Sequence, residues 1–333
     1  MRADKSSNNG DANKLYYYPK ASLAANITKL ANCANDHLSD LKLRLAYGQS
    51  GNFARFGSIY TPLNSIVIDG STGSIIGRTL GYSELGPEKQ TEIETGFDLG
   101  LFKNRMLLDF TYYIKNIDDL VLQVQVPGST GFTNRWLNAA ELKNNGIEIG
   151  LAVNAIQKRN FNWNTRFGFW KNTATIENLK VPAFNEGGFA PILGVFKIEE
   201  GKSPTQIVGT TSDTSDADGL RVWGDAEPDF NLSWSNNLSF GNFDLSFLFH
   251  WKKGGENINL TTLLSDLSGT SADYDEKTLD PANKLVNGDY RVSQLGSSAH
   301  VFIEDASYIR LREIGLTYRL PKAMFNDKAQ VKI

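Results

Sequence analysis

Phe230-Asn231-Leu232-Ser233-Trp234-Ser235-Asn236-Asn237-Leu238-Ser239-Phe240-Gly241-Asn242-Phe243-Asp244-Leu245-Ser246-Phe247-Leu248-Phe249-His250-Trp251 is the stretch that decides the fold. Phe230, Leu232, Trp234, Leu238 and Phe240 share one parity, and Asn231, Ser233, Ser235, Asn237 and Ser239 share the other. Successive side chains of a strand point to opposite faces, so this parity predicts a strand that is greasy on one side and wet on the other. Gly241-Asn242 has the composition of a two-residue hairpin turn. Beyond it Phe243, Leu245, Phe247, Phe249 and Trp251 oppose Asp244, Ser246, Leu248 and His250, which completes a long antiparallel pair.

The same pattern recurs along the chain. Thr91, Ile93, Thr95, Phe97, Leu99 and Leu101 oppose Glu92, Glu94, Gly96, Asp98 and Gly100. After the turn Lys103-Asn104-Arg105, Met106, Leu108, Phe110, Tyr112 and Ile114 oppose Asp109, Thr111, Tyr113 and Lys115. Ile147, Ile149, Leu151 and Val153 form a third greasy face, followed by a short turn over 155–160 and by Phe161, Trp163, Thr165, Phe167 and Phe169. A weaker pair covers 21–28 and 41–47, and a last strand near 308–320 carries Ile314, Leu316, Tyr318 and Leu320. Gly241-Asn242 and Lys103-Asn104-Arg105 are tight, whereas the segments near 116–145, 171–228 and 252–306 read as long connections.

Short turns at one end and long loops at the other have a physical reason in a transmembrane barrel, where the two rims face different compartments. A soluble sandwich has no such asymmetry, and its strands usually run about five or six residues. The expected fold is therefore all-β: a partial antiparallel transmembrane β-barrel of about nine or ten strands, part of a larger barrel. The alternative is a soluble carbohydrate-binding β-sandwich, which shows the same alternation because one face packs on a core. It predicts that Phe230, Leu232 and Trp234 are buried. A secreted β-rich hydrolase would need a convergent acid/base pair, and no feature supplies one.

Composition narrows the function classes. The 333 residues carry a net charge of −3, so no nucleic-acid footprint is expected. No run of eighteen apolar residues occurs, and the mean hydropathy of −0.32 does not discriminate, because barrel strands average apolar and polar faces. The single cysteine, Cys33, allows no internal disulfide. Met1 to Gly10 lacks an apolar core and does not read as a signal peptide. The alternation at Gln330-Val331-Lys332-Ile333 reads as another strand opening, so a piece of a longer chain is expected.

On this reading the polar parity lines the lumen. The candidates are Glu92, Glu94, Asp98, Glu148, Arg166, Asn231, Asn237 and Asp244. Glu92 and Glu94 share a face as a glycosidase pair would, yet on a lumen wall they are expected to meet cations rather than do chemistry. Asp213, Asp216, Asp218 and Gly219 form an acidic loop with oxygen ligands for calcium but without EF-hand spacing; a solvated loop is the default. His37, His250 and His300 lie too far apart in sequence for a local metal motif. Trp136, Phe189, Phe196 and Trp223 fall in or near expected loops, where stacking on sugar rings competes with simple anchoring.

Several words on these strands resemble one family. Leu41-Lys42-Leu43-Arg44-Leu45-Ala46-Tyr47-Gly48-Gln49-Ser50-Gly51-Asn52 is similar to a strand of SusC/RagA-like TonB-linked outer-membrane transporters. So, in the same order, are Tyr18-Pro19-Lys20-Ala21-Ser22 upstream, Glu88-Lys89-Gln90-Thr91-Glu92 downstream, and Asn138 to Glu148. Gly224-Asp225-Ala226-Glu227-Pro228-Asp229-Phe230 and Ala306-Ser307-Tyr308-Ile309-Arg310-Leu311 continue the series. Ala25-Asn26 replaces that family's tryptophan, and Cys33 to His37 sits in a longer turn than usual. The resemblance implies import of a large nutrient, glycan or peptide, across a bacterial outer membrane, with no cofactor and no enzymatic activity. It implies a SusD-like surface lipoprotein as lid, TonB acting through a plug, and lipid around the barrel. Residues 1–333 are expected to be part of one barrel domain, with the plug, TonB-contacting segment, signal peptide and last strands outside this chain.

Overall fold

The computed structural model describes residues 1–213 and 219–320. Nine long strands follow in chain order: β1 Lys20–Asn26, β2 Leu38–Asn52, β3 Glu88–Leu101, β4 Met106–Gln125, β5 Asn134–Lys158, β6 Phe161–Leu179, β7 Phe230–Phe240, β8 Phe243–Lys253 and β9 Tyr308–Tyr318. Each pairs antiparallel with its neighbour in sequence, and Thr79–Leu80 adds a short parallel pair beside β5. The sheet is open, with β1 and β9 as its edges among the described residues.

Register carries the two faces across the whole sheet. Ala25, Leu43, Phe97, Phe110, Ile149, Phe169, Leu232, Trp251 and Ile309 form one continuous cross-strand row, apolar on all nine strands. One residue along lies the row Asn26, Lys42, Asp98, Asp109, Gly150, Gly168, Ser233, His250 and Arg310, without one aliphatic side chain. At the short-turn end Phe161, Phe240, Phe243 and Tyr318 line up in register, with Phe243 and Tyr318 rings 4.7 Å apart. That is the position of an interfacial aromatic girdle.

The apolar face is not a core. Ile309 is 70% exposed and Leu316 68%, and no second sheet covers them among the described residues. Phe230, Leu232 and Trp234 are only partly covered, contrary to the sandwich alternative. Buried cores lie instead at the long-loop end. One unites Leu193 and Ile207 of the 180–229 connection with Ile258, Leu263, Ala299, Phe302 and Ile303 of the 254–307 connection. The other joins Val124, Ala139, Ala140 and Ile176 of β4–β6 to Phe184 and Ile198. An apolar wall left open beside a soluble-like core in the loops is the distribution of a membrane barrel.

The short turns follow from local chemistry. Gly241 takes φ +57°, the sign a two-residue hairpin needs at its first central position. Phe102, Lys103 and Asn104 are all left-handed, and the Asn104 amide is held by the Ser39 hydroxyl at 3.1 Å. Between β1 and β2 the longer turn folds into α1, Ile27–Leu30, whose first turn is capped by the Asn26 side chain.

The expected connection 116–145 is largely strand: β4 runs 20 residues and β5 runs 25, leaving only 126–133 between them. β6 likewise extends to Leu179, into the expected 171–228 connection. Alternation fails in these extensions because loops cover them and three register shifts interrupt the pairing. Asn138 fastens one of the shifts, its amide donating to the Asp119 and Gly86 carbonyls while its oxygen accepts from Gly86 N–H. The 180–229 connection contains a four-stranded sheet, and 254–307 contains α2, Leu260–Leu267, and α3, Asn287–Ser293. Asp216 and Asp218 of the acidic loop lie outside the described residues, as does 330–333.

Candidate functional site: the polar face of the sheet

All eight residues picked by parity lie on the polar face. Glu92 stands between Gly48 and Lys115, and Glu94 between Ala46 and Tyr113. Asp98 accepts an ion pair from Arg44 at 3.0 Å, with Lys42 at 3.7 Å. Glu148 is flanked by Thr111 and Trp170, and Arg166 by Ala152 and Ser235. Asn231 lies between Trp170 and Lys252, and Asn237 between Asn164 and Ser246. Asp244 accepts from Ser239 at 2.6 Å and pairs with Arg319 at 2.8 Å. These residues line a wall and do not converge on one point. Two groups do meet: Glu92 and Glu94 border one depression with Lys20 and Gln90, and Glu148 and Arg166 border another with Asp109 and Trp170.

Glycines keep this wall low. The Tyr113 ring lies across Gly146, where any Cβ would collide with it, and its hydroxyl donates to Asn172 at 3.0 Å. The Asp109 carboxylate covers Gly150 in the same way, and Ser233 covers Gly168. Side chains that fold flat over neighbouring glycines leave open space above the sheet. Glu92 and Lys115 stand 4.0 Å apart, so part of the carboxylate charge is answered by the adjacent strand.

Parity placed His250 on the polar face but missed Tyr308, which meets it there. Trp170 stacks on His250 with centroids 5.6 Å apart, and Tyr308 meets His250 edge-on at 5.4 Å. A phase slip in the last strand was the available signal: Ile309 and Leu311 are odd-numbered, whereas Ile314 and Leu316 are even. The aromatics expected in loops have structural partners. Trp136 belongs to β5, and the Trp223 indole donates to the Gly209 and Thr210 carbonyls, both at 3.3 Å, and lies 5.0 Å from His300. Phe196 packs on the loop core, while Phe189 is exposed. His37 lies at the turn end against Phe102, so the three histidines sit in three separate places.

Comparison with known proteins agrees with this architecture. The family model described as "TonB dependent receptor-like, beta-barrel" matches residues 1–191. TonB-dependent receptor P3 of Formosa agariphila is 26% identical over 97% of this chain and 36% of its own length. TonB-dependent receptor SusC of Bacteroides thetaiotaomicron is 24% identical over 96% of this chain and 35% of its own length. The chain thus spans about a third of the relatives it matches. The solved RagAB peptide transporter superposes with a TM-score of 0.76 at 20% identity, covering 99% of this chain and 40% of that one. That likeness shows the fold. With the family model covering more than half of its residues, this chain belongs to the TonB-dependent receptor-like β-barrels of the outer membrane, a family of receptors and not of enzymes.

Proposed function

We propose that this chain forms part of the wall and the long loops of a TonB-dependent importer that carries a large nutrient, glycan or peptide, across the outer membrane. The observation that carries the reading is the pair of neighbouring rows, one apolar on all nine strands and one wholly free of aliphatic side chains. A sheet with lipid on one side and a polar lumen on the other needs that division. The residues 1–333 belong to one barrel domain, and Glu92, Glu94, Asp98, Glu148, Arg166, Asn231, Asn237 and Asp244 line its lumen. The short turns face the periplasm, and the connections 53–87, 180–229 and 254–307 face outside. A SusD-like lipoprotein covers those loops, and TonB acts through the plug of the whole receptor. The family membership and the SusC and RagAB likenesses support both partnerships.

Cysteine substitution in the intact receptor tests the assignment. At Glu94, Glu148 and Asn237 a membrane-impermeant thiol reagent should react from the aqueous side, and at Ile93, Ile149 and Leu238 it should not. The reverse pattern would overturn the reading.

A further inference from the structure

Counting alternation back from Ile314 puts Arg310 and Tyr308 on the apolar face. The pairing does otherwise. Phe247 faces Ile314 and Leu248 faces Glu313, but Phe249 faces Leu311, so a β-bulge falls at Arg312. Beyond it Ile309 and Leu311 are the outward pair, and Tyr308 and Arg310 stand beside Lys252 and His250 on the polar face. Bulges commonly re-aim side chains next to functional sites.

The re-aimed residues complete an array over four strands. Trp170 reaches across β7, where Ser233 is small, and stacks on His250 at an interplanar angle of 12°. The Tyr308 hydroxyl lies 3.1 Å from His250 Nδ1, and the Arg310 guanidinium sits 4.6 Å over the Tyr308 ring. Stacking holds a guanidinium by its face and leaves its in-plane N–H groups free to donate. Beside Trp170 is a depression of about 430 Å³ bordered by Arg166, Glu148, Asp109, Gly150 and Gly168. Neither Arg166 nor Arg310 has a carboxylate partner among the described residues, whereas Arg44, Arg291 and Arg319 each have one.

Planar donors flanking a flat aromatic stack, Arg310 over Tyr308 at one end and Arg166 across the depression beside Trp170 at the other, suit an anion carried on a planar or ring-shaped group. We propose that Trp170, His250, Tyr308, Arg310 and Arg166 form a subsite for a carboxylate of the imported ligand. This rests on the import reading above. Two sources share the chemistry: a uronic acid of a glycan, or the free C-terminus of a peptide.

The intact receptor in detergent is titrated calorimetrically with four probes: tetragalacturonate, its methyl ester, tetra-alanine, and its C-terminal amide. At least one acid should bind about tenfold or more tightly than its neutral counterpart, the scale of losing a charge-assisted hydrogen bond. Arg310→Gln should remove that preference, and Arg310→Lys should retain part of it. Arg166→Gln gives a second, independent variant, and heat-modifiable migration shows that each barrel has assembled. Preference for tetragalacturonate assigns the glycan, and preference for tetra-alanine the peptide. Equal binding of acid and neutral probe, no binding of any probe, or a preference unchanged in both Gln variants overturns the subsite. Uptake in cells separates the two readings. A receptor that imports a nutrient without acid preference keeps the import reading and loses the subsite. A receptor with acid preference and no TonB-dependent uptake does the opposite.

Discussion

The Trp163 indole donates a 2.9 Å hydrogen bond to Oδ1 of Asn236, and both residues lie on the apolar face. Asn236 interrupts the greasy parity of β7, yet it is 1% exposed because aromatic neighbours cover it. Beside it the Trp234 indole donates to Thr165 Oγ1 at 2.8 Å. The indole N–H groups of Trp163 and Trp234 are therefore each answered by a small polar side chain on the next strand. Hydrocarbon offers no substitute partner.

Asn236→Ala should consequently destabilise the barrel by about 1–3 kcal/mol, the cost of a buried donor left without its acceptor. Replacing both partners, Trp163→Phe with Asn236→Leu, should recover most of it, since no polar group then remains unpaired. Urea unfolding of the intact receptor in lipid vesicles reads both effects. A double variant as unstable as Asn236→Ala would refute the pairing.

Gly146→Ala should disturb the polar face by a different route. The new Cβ would occupy the place of the Tyr113 ring and push its hydroxyl off Asn172. A loss of about 1–3 kcal/mol is expected, as for other overpacked sites. Tyr113→Ala made together with Gly146→Ala should abolish the clash, so the two changes should be strongly non-additive in the same unfolding assay.

Strand parity was enough to separate the two faces of the sheet. All eight lumen candidates fall on one face because period-2 alternation is fixed by the backbone and holds wherever one side meets lipid. It failed where that asymmetry ends. Val124, Ala139 and Ile176 are covered by loops, so β4, β5 and β6 continue through residues that read as connection. Arg310 escaped for another reason. One bulged residue reverses every face beyond it, and the reversal shows only as the phase slip between Leu311 and Ile314. The shared core of the 180–229 and 254–307 connections carries no periodic signal, because short irregular elements build it.

Arg291 in α3 anchors the 254–307 loop from within. It is 5% exposed, grips both oxygens of Asp266 at 2.7 Å, and reaches Asp273 at 2.8 Å and Ser271 at 3.2 Å. Arg291→Met leaves the Asp266 carboxylate buried and uncompensated, which costs about 3–5 kcal/mol in comparable pairs. Amide hydrogen exchange over 260–293 should accelerate while exchange in β7 and β8 stays as it was. Unchanged protection in α2 and α3 would remove Arg291 from this role.

The same anchor predicts an acid-sensitive loop. The Arg291 guanidinium, helped by Asn287, holds the Asp273 carboxyl down from 3.8 to about 2. Asp280 is also lowered, by the backbone N–H groups of Leu285, Ala282 and Lys284. A carboxyl whose folded value is depressed binds its proton more weakly than in the unfolded chain. Its contribution is therefore complete above the unfolded value and lost as pH falls through the folded one. Loop protection should stay constant from pH 7 to pH 5 and decline between about pH 4 and pH 2. In Asp273→Asn the neutral amide has no such titration, so most of the decline should disappear and leave the smaller part due to Asp280. Exchange measured at stepped pH, corrected for the intrinsic rate, distinguishes the outcomes: a decline centred near pH 6 would refute the role of these carboxylates.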